Sequence, residues 1–144
     1  MKRILGMLLV FLLLISTTAA LGRSADDYSF DYGWLFLTGY TGQGGDITLP
    51  AEMINPNNPE KTWHALAIAR GAFSQNEQIT GISIPDSYQA IHPEAFMDCT
   101  NLSQVTMPLG LAVIDDRAFA GCTSLTEIKL PASLSFIGNS TFTA

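Results

Sequence analysis

Two histidines, His64 and His92, are the side chains best suited to proton transfer near neutral pH. A histidine that activates a nucleophile also needs a serine or cysteine and an orienting carboxylate held around it. The sequence has no G-x-S-x-G motif, and nothing in it pairs a nucleophile and a carboxylate with either histidine. We therefore expect no catalytic residue, no enzyme activity, and a surface position for His92.

Acidic side chains form two clusters that invite comparison with a cation site, namely Asp26-Asp27 with Asp31, and Asp115-Asp116. Calcium takes six or more oxygen ligands from a tight loop with glycine at its turn. Neither cluster has that spacing, and the two cysteines and two histidines are too dispersed for a zinc site. We expect solvated carboxylates here, with neither a metal nor a cofactor.

Cys99 and Cys122 stand 23 residues apart, and this interval governs the second half of the chain. The stretch AFMDCTNLSQVTMP (95–108) is followed 23 residues later by AFAGCTSLTEIKLP (118–131). Two apolar positions hold the same register over four occurrences: Ile68, Ile91, Ile114 and Ile137; Phe73, Phe96, Phe119 and Phe142. Self-similarity at a fixed period of this length indicates a stacked repeat.

Each repeat unit contains an alternating segment followed by a second apolar pair. Ile128 and Leu130 alternate as in a strand, and Pro131 ends that strand because proline cannot donate to a sheet. No unit can bury its apolar face alone, so the units must stack and turn each repeated position into an internal ladder. The sequence predicts a mostly β solenoid of about four 23-residue rungs, with the Ile, Phe and Cys ladders inside.

In such a stack Cys99 and Cys122 occupy equivalent positions on adjacent rungs. Neighbouring strands lie about 4.8 Å apart, within the ~4.4–6.8 Å of Cα separation that a disulfide tolerates. Side chains stacked in parallel often point the wrong way for a bridge. From the residues alone, Cys99 and Cys122 are therefore compatible both with a disulfide and with a pair of buried thiols.

The unit L-x-x-I-x-L-P-x-x-L-x-x-I-x-x-x-A-F-x-x-C resembles the BspA-type class of leucine-rich repeat (LRR). The match covers 79–144 closely and extends more loosely through 47–50 and 65–73. The resemblance implies a secreted or cell-surface protein, with Cys99 and Cys122 as small buried residues. It also implies protein ligands, with attachment to host extracellular-matrix proteins among the associated roles.

The domain organisation departs from a uniform array of repeats. Residues 47–144 form the repeats, with a 12-residue insertion within about 51–64 and an incomplete last unit. The pairs Asn55-Pro56 and Asn58-Pro59 predict turns in this insertion. The aromatic segment 21–46 is expected to cap the first rung, whereas the last rung shows no cap. Either the natural chain continues or this rung meets a partner, which includes self-association.

Residues 1–20 have the layout of a secretory signal peptide, with Lys2 and Arg3 before an apolar run and small residues near Ala20. A retained anchor is the alternative, but the run is short for a bilayer span of about 20 residues. Without this segment the chain carries five basic and thirteen acidic residues, a net charge of −8. Such a chain lacks the basic surface that nucleic acid requires, and we expect no membrane span after cleavage.

Function must then lie on exposed side chains. The outward strand positions of the three units are Gly81 and Ser83, Gln104 and Thr106, and Glu127 and Lys129. Ala90, Val113 and Phe136 form a second, unusually apolar row, and Trp63 lies in the insertion. We take Ser83, Gln104, Thr106, Glu127, Lys129, Val113, Phe136 and Trp63 as ligand-contact candidates, against the alternative of a plain solvated sheet.

We therefore predict a secreted or surface-displayed protein–protein interaction module with an adhesin-like role. A carbohydrate-binding module is an alternative suggested by Trp34, Tyr40 and Trp63 near one end. A truncated accessory domain of a larger secreted enzyme is another.

Overall fold

The computed structural model describes residues 25–144, so the predicted signal peptide at 1–20 lies outside the described residues. A short 3-10 helix covers Ala25–Asp27, and the remaining regular structure consists of short strands. In chain order they are β1 Tyr28–Asp31, β2 Phe36–Tyr40, β3 Gly45–Thr48, β4 Glu52–Ile54, β5 Thr62–His64, β6 Ala67–Ile68, β7 Ile79–Ser83, β8 Ala90–Ile91, β9 Gln104–Thr106, β10 Val113–Ile114 and β11 Phe136–Ile137. The predicted mostly β fold is confirmed, with little helix in residues 25–144.

Two parallel sheets carry the repeats. A three-stranded sheet has the order β3-β7-β9, and each of its strands precedes the proline of its unit. A six-stranded sheet has the order β1-β2-β6-β8-β10-β11, in which only the β1–β2 pair is antiparallel. The two complete units, 79–101 and 102–124, each contribute one strand to each sheet, with the proline turn between them, whereas the last unit contributes only β11.

The Ala-Phe segment of each unit closes the rung by hydrogen bonding to the next one. The amide N–H groups of Phe73, Phe96 and Phe119 donate to the carbonyl oxygens of Ala95, Ala118 and Thr141, each at 2.8–2.9 Å. Two positions in each turn have left-handed backbone: Gly71, Glu94, Arg117 and Ser140; Gln75, Asp98 and Gly121. Because glycine fills only some of them, sequence alone gave little sign of this geometry.

The core consists of columns of equivalent side chains. The rings of Phe73, Phe96 and Phe119 stack with centroids 5.0 Å apart, and Phe142 continues the column at 5.7 Å. Ile68, Ile91 and Ile114 are fully buried, whereas Ile137 and Phe142 of the last unit are exposed at 45% and 42%. The Phe and Ile columns are therefore buried in the middle units and exposed to solvent at the last unit.

Two hairpins lie beside the first repeat. The β1–β2 hairpin joins the six-stranded sheet through β2 and β6, and its Tyr40 ring lies 5.7 Å from that of Phe73. The predicted insertion is an antiparallel β4–β5 hairpin rather than a structureless loop. The side chains of Asn55 and Asn58 accept hydrogen bonds from the backbone two residues on, which starts both of its turns.

The strand expected at Ile128 and Leu130 is absent, which corrects the sequence interpretation. Residues 125–130 are irregular, and Leu130 is exposed at 42%. This segment follows β9 at the edge of the sheet. It has a neighbouring strand on one side only, and that is not enough to hold it in a strand register.

Candidate functional site

The outer face of the three-stranded sheet presents two rows of side chains. The register aligns Asp46, Gly81 and Gln104 in one row and Thr48, Ser83 and Thr106 in the other. Gln104 and Thr106 are exposed and Ser83 is half-buried. These polar groups line a concavity of about 170 Å³ and can exchange hydrogen bonds with a partner.

Gly81 is not part of the exposed surface that its strand position indicated. It is buried because the Asp46 carboxylate lies over it, and a Cβ added at Gly81 would stand 2.6 Å from Asp46 Oδ1. The same oxygen accepts a 2.7 Å hydrogen bond from Thr80 Oγ1. Sequence reasoning missed Asp46, although its spacing from Gly81 equals one period plus the insertion.

Glu127 and Lys129 lie on the irregular segment 125–130, and both are exposed. Residues of this segment and of β9 together line a groove of about 740 Å³. Gln104, Thr106, Glu127 and Lys129 all line it, so four of the predicted contact residues share one groove.

The second predicted row lies on the six-stranded sheet. Ala90, Val113 and Phe136 are aligned on β8, β10 and β11, and Phe136 is exposed at 49%. The row continues through Ala67 to Phe36 on β2. The structure thus holds Val113 and Phe136 side by side on a sheet other than that of Gln104 and Thr106.

Trp63 lies apart from both rows. Its ring is half-buried against the core and lies 6.1 Å from that of Tyr32, in the turn before β2. Trp63 lies on β5, which pairs with β4 in a separate two-stranded sheet, whereas Val113 lies on β10 of the six-stranded sheet. Trp34, by contrast, is exposed at 72%.

The profile of the BspA type leucine-rich repeat region matches residues 66–144 in six copies, which is more than half of the chain. The chain belongs to this family. A search of curated proteins found no match.

Three solved leucine-rich repeat structures share the fold. One from Bacteroides capillosus has 28% identity and a TM-score of 0.69 over 82% of this chain and 92% of that chain. One from Bacteroides ovatus has 23% identity and a TM-score of 0.73 over 85% of this chain and 33% of that one. A leucine-rich cell surface protein from Faecalibacterium prausnitzii has 21% identity and a TM-score of 0.61 over 83% of this chain and 39% of that one. This BspA-type chain thus spans about a third of the length of the Bacteroides ovatus structure.

The two repeat cysteines are free and buried. Cys99 Sγ donates to the carbonyl oxygen of Phe73 at 3.0 Å, and Cys122 Sγ donates to that of Phe96 at 3.1 Å. The hydrogen bond with Cys122 and burial together raise the pKa of the Cys99 thiol above its ordinary range. Each thiol satisfies one backbone carbonyl, and burial limits the access of reagents to both.

His92 has a partner that sequence reasoning missed. Its Nδ1 lies 3.1 Å from Asp115 Oδ2, and its ring lies 4.9 Å from that of Phe36. Asp115 stands one period after His92, so the repeat itself carried the signal. His64 is exposed on β5, far along the chain from this pair.

Within residues 25–144, no group of three or more His, Cys, Asp or Glu is placed to hold a metal ion, and no helix could span a bilayer. Leucine-rich repeat proteins are generally binding modules rather than enzymes, and the family that matches residues 66–144 of this chain is of that class. The surface of residues 25–144 presents rows of polar side chains and exposed apolar side chains.

Proposed function

We propose that this protein is a secreted or surface-displayed interaction module that binds an extracellular protein through the outer face of its three-stranded sheet. An adhesin-like role toward host proteins is part of the proposal. Leucine-rich repeat domains typically bind proteins, which supports the class of partner.

The observation that carries the proposal is the groove beside β9. It gathers Gln104, Thr106, Glu127 and Lys129, so hydrogen-bonding groups and one charge of each sign are exposed within a single concavity. Interfaces commonly combine such polar groups with nearby apolar anchors. Here Leu109 and Leu130 supply the apolar part at exposures of 79% and 42%.

Export is supported by two observations of different kinds. Residues 1–20 have the charge and hydropathy layout of a signal peptide. The similar Faecalibacterium prausnitzii protein is described as a cell surface protein. N-terminal sequencing of material from the culture medium or cell surface tests export, and a mature chain that starts at Met1 would contradict it.

The binding test is a screen of purified residues 21–144 against matrix glycoproteins, fibrinogen and a soluble glycan panel. Saturable binding to one protein is expected, and Glu127→Ala with Lys129→Ala should weaken it by about three- to tenfold because rim charges are only partly desolvated. Glu60→Ala with Lys61→Ala is the matched control, since both residues are exposed on the insertion hairpin. Equal binding by the parent protein, the Glu127 and Lys129 variant and the control variant would remove the groove from the proposal.

A glycan is a second candidate ligand because of Trp34. Its indole, exposed at 72%, is the most exposed aromatic ring in residues 25–144, and the Phe36 ring lies 6.4 Å away. Glycan binding that Trp34→Ala abolishes, and that the Glu127 and Lys129 changes leave intact, would move the site to this end of the protein.

A further inference from the structure

The concavity on the outer face of the three-stranded sheet is built around a β-bulge. Gly45 of β3 pairs with Ile79 of β7, and Asp46 pairs with Gly81, so Thr80 is an extra residue on β7. A bulge of this kind re-aims the side chains beside it. Here Thr80 Oγ1 donates a 2.7 Å hydrogen bond to Asp46 Oδ1, which holds the carboxylate on this face of the sheet.

Gly81 allows that carboxylate to reach the middle of the face. Because Gly81 has no side chain, Asp46 Oδ1 can lie over the strand, only 2.6 Å from where a Cβ would stand. Gln104 forms the opposite wall on β9, two strand spacings from β3, or about 10 Å. We call the concavity of about 170 Å³ between these walls the Asp46 pocket; the other polar side chains that line it are Thr48, Ser83 and Thr106.

The Asp46 pocket presents one negative charge and several hydrogen-bond acceptors. Within residues 25–144, no basic side chain forms an ion pair with Asp46. The hydroxyl oxygens of Thr48, Ser83 and Thr106 and the amide oxygen of Gln104 can accept hydrogen bonds as well. Such a lining is complementary to a cation that carries several donors and no acceptor, as the side chains of arginine and lysine do.

The size and position of the pocket suit the end of a partner's side chain. Its volume of about 170 Å³ is below the ~300–1,000 Å³ usual for small-molecule pockets, yet several times the ~30 Å³ of one water molecule. Gln104 and Thr106 also line the groove beside β9. A protein that occupies the groove therefore lies next to the Asp46 pocket.

We infer that the Asp46 pocket binds a basic side chain of the partner protein, arginine in preference to lysine. The inference rests on the proposed function and adds to it the chemistry of one partner residue. Arginine is preferred because its planar guanidinium pairs with a carboxylate through two parallel N–H donors and keeps further donors for the surrounding hydroxyl groups.

A displayed library of random dodecapeptides is the probe, selected in parallel on residues 21–144 and on two variants of them. Asp46→Asn removes the charge and keeps the shape of the side chain. Glu52→Gln is the matched control, because it removes the charge of an exposed carboxylate on the insertion hairpin. Arginine should be enriched about threefold or more among the peptides bound by the parent protein and by Glu52→Gln, and should not be enriched on Asp46→Asn.

Gly81→Ala separates the shaped pocket from the charge alone. The added Cβ displaces the Asp46 carboxylate from its place over the strand and leaves its charge on the protein. A peptide selected on the parent protein should bind about five- to twentyfold more weakly to Asp46→Asn and to Gly81→Ala. The same peptide with citrulline, a neutral analogue of similar shape, in place of arginine should lose as much on the parent protein. Fluorescence anisotropy measures the binding, and circular dichroism checks that each variant is folded.

Three results would each overturn the inference: arginine enriched equally on the parent protein and on Asp46→Asn, no enrichment of basic residues on any of the proteins, or undiminished binding by folded Gly81→Ala. A glycan whose binding is lost on Asp46→Asn would identify a sugar as the occupant and overturn it as well.

Failure of the inference can be told apart from failure of the proposed function. If a protein from the screen binds in a Glu127- and Lys129-dependent manner and equally well to Asp46→Asn, the Asp46 pocket has no part in binding and the proposed function stands. If neither a protein nor a peptide binds, the proposed function fails as well.

Discussion

Phe73 and Phe96, 23 residues apart in sequence, stack with ring centroids 5.0 Å apart and an interplanar angle of 16°. Such a stack lets each rung bury the aromatic ring of its neighbour, and stacked pairs contribute about 0.5–1.5 kcal/mol beyond burial alone. Each inner ring of the column packs against one ring on either side.

Replacing the central ring should therefore cost most. We expect Phe96→Ala to lower the free energy of unfolding by about 3–5 kcal/mol, because it leaves a cavity between Phe73 and Phe119. Phe142→Ala is the matched control at the exposed end of the column and should cost roughly 1–2 kcal/mol. Urea denaturation followed by circular dichroism measures both, and equal losses would argue against a ladder supported from both sides.

Gly121 occupies a position where a side chain is doubly disfavoured. Its φ is +73°, and an added Cβ would meet Asp98 Oδ1 and stand 3.2 Å from Asp98 Cα. Gly121→Ala should lower the free energy of unfolding by about 1–3 kcal/mol. Gly110→Ala is the control, because its Cβ would find only the carbonyl oxygen of Asp86 at 3.9 Å, and it should change stability by less than about 0.5 kcal/mol.

Tyr88 should make the fold sensitive to alkali. It is fully buried, and its hydroxyl donates to the carbonyl oxygen of Pro50 at 2.9 Å. Burial raises the pKa of Tyr88, and the nearby Tyr28 raises it further. Above about pH 10 the unfolded tyrosine loses its proton while the folded one keeps it, so stability falls as pH rises, by about 1.4 kcal/mol per pH unit.

Removing this hydroxyl should flatten that pH dependence. We expect Tyr88→Phe to lose about 1 kcal/mol at pH 7 with its hydrogen bond, but to lose less than the parent protein between pH 9 and 11. Tyr32→Phe, at an exposed ring, should keep the parent profile. Denaturant midpoints measured at three pH values test this, and parallel profiles for all three proteins would contradict it.

The repeat cysteines should behave as buried thiols. Because Cys99 and Cys122 are buried and bonded to backbone carbonyls, a thiol reagent at pH 8 should label neither until denaturant unfolds the chain. Intact mass spectrometry gives an independent check. A gain of two hydrogen masses on reduction would establish a disulfide and contradict this prediction.

The exposed apolar residues of the last repeat should promote self-association of residues 21–144. Phe136 and Ile137 are half-exposed on edge strand β11, where a second copy could cover them. Phe136→Ser with Ile137→Ser should lower the mass measured by light scattering at high concentration. Ile54→Ser, at an exposed residue of the insertion hairpin, should leave it unchanged. A parent protein that is monomeric at all concentrations would reject the prediction.

The sequence by itself determined the period and the identity of what repeats. Register over several intervals assigns Ile91, Phe96 and Cys99 to one unit, and the mostly β class follows because no unit can bury its apolar face alone. The period also implies that His92 and Asp115 are neighbours, since they occupy equivalent positions on adjacent rungs.

Only the tertiary structure decided where the equivalence of positions breaks down. Gly81 occupies an outward strand position, yet the Asp46 side chain covers it. Trp63 was expected in an exposed loop, yet its ring packs on that of Tyr32. Residues 125–130 repeat the strand pattern of β9 but make no backbone hydrogen bond to it. The physical reason is that a period states which positions are alike, whereas burial and pairing depend on what lies on each side of a residue. Those neighbours differ at an insertion, beside a hairpin and on the last rung.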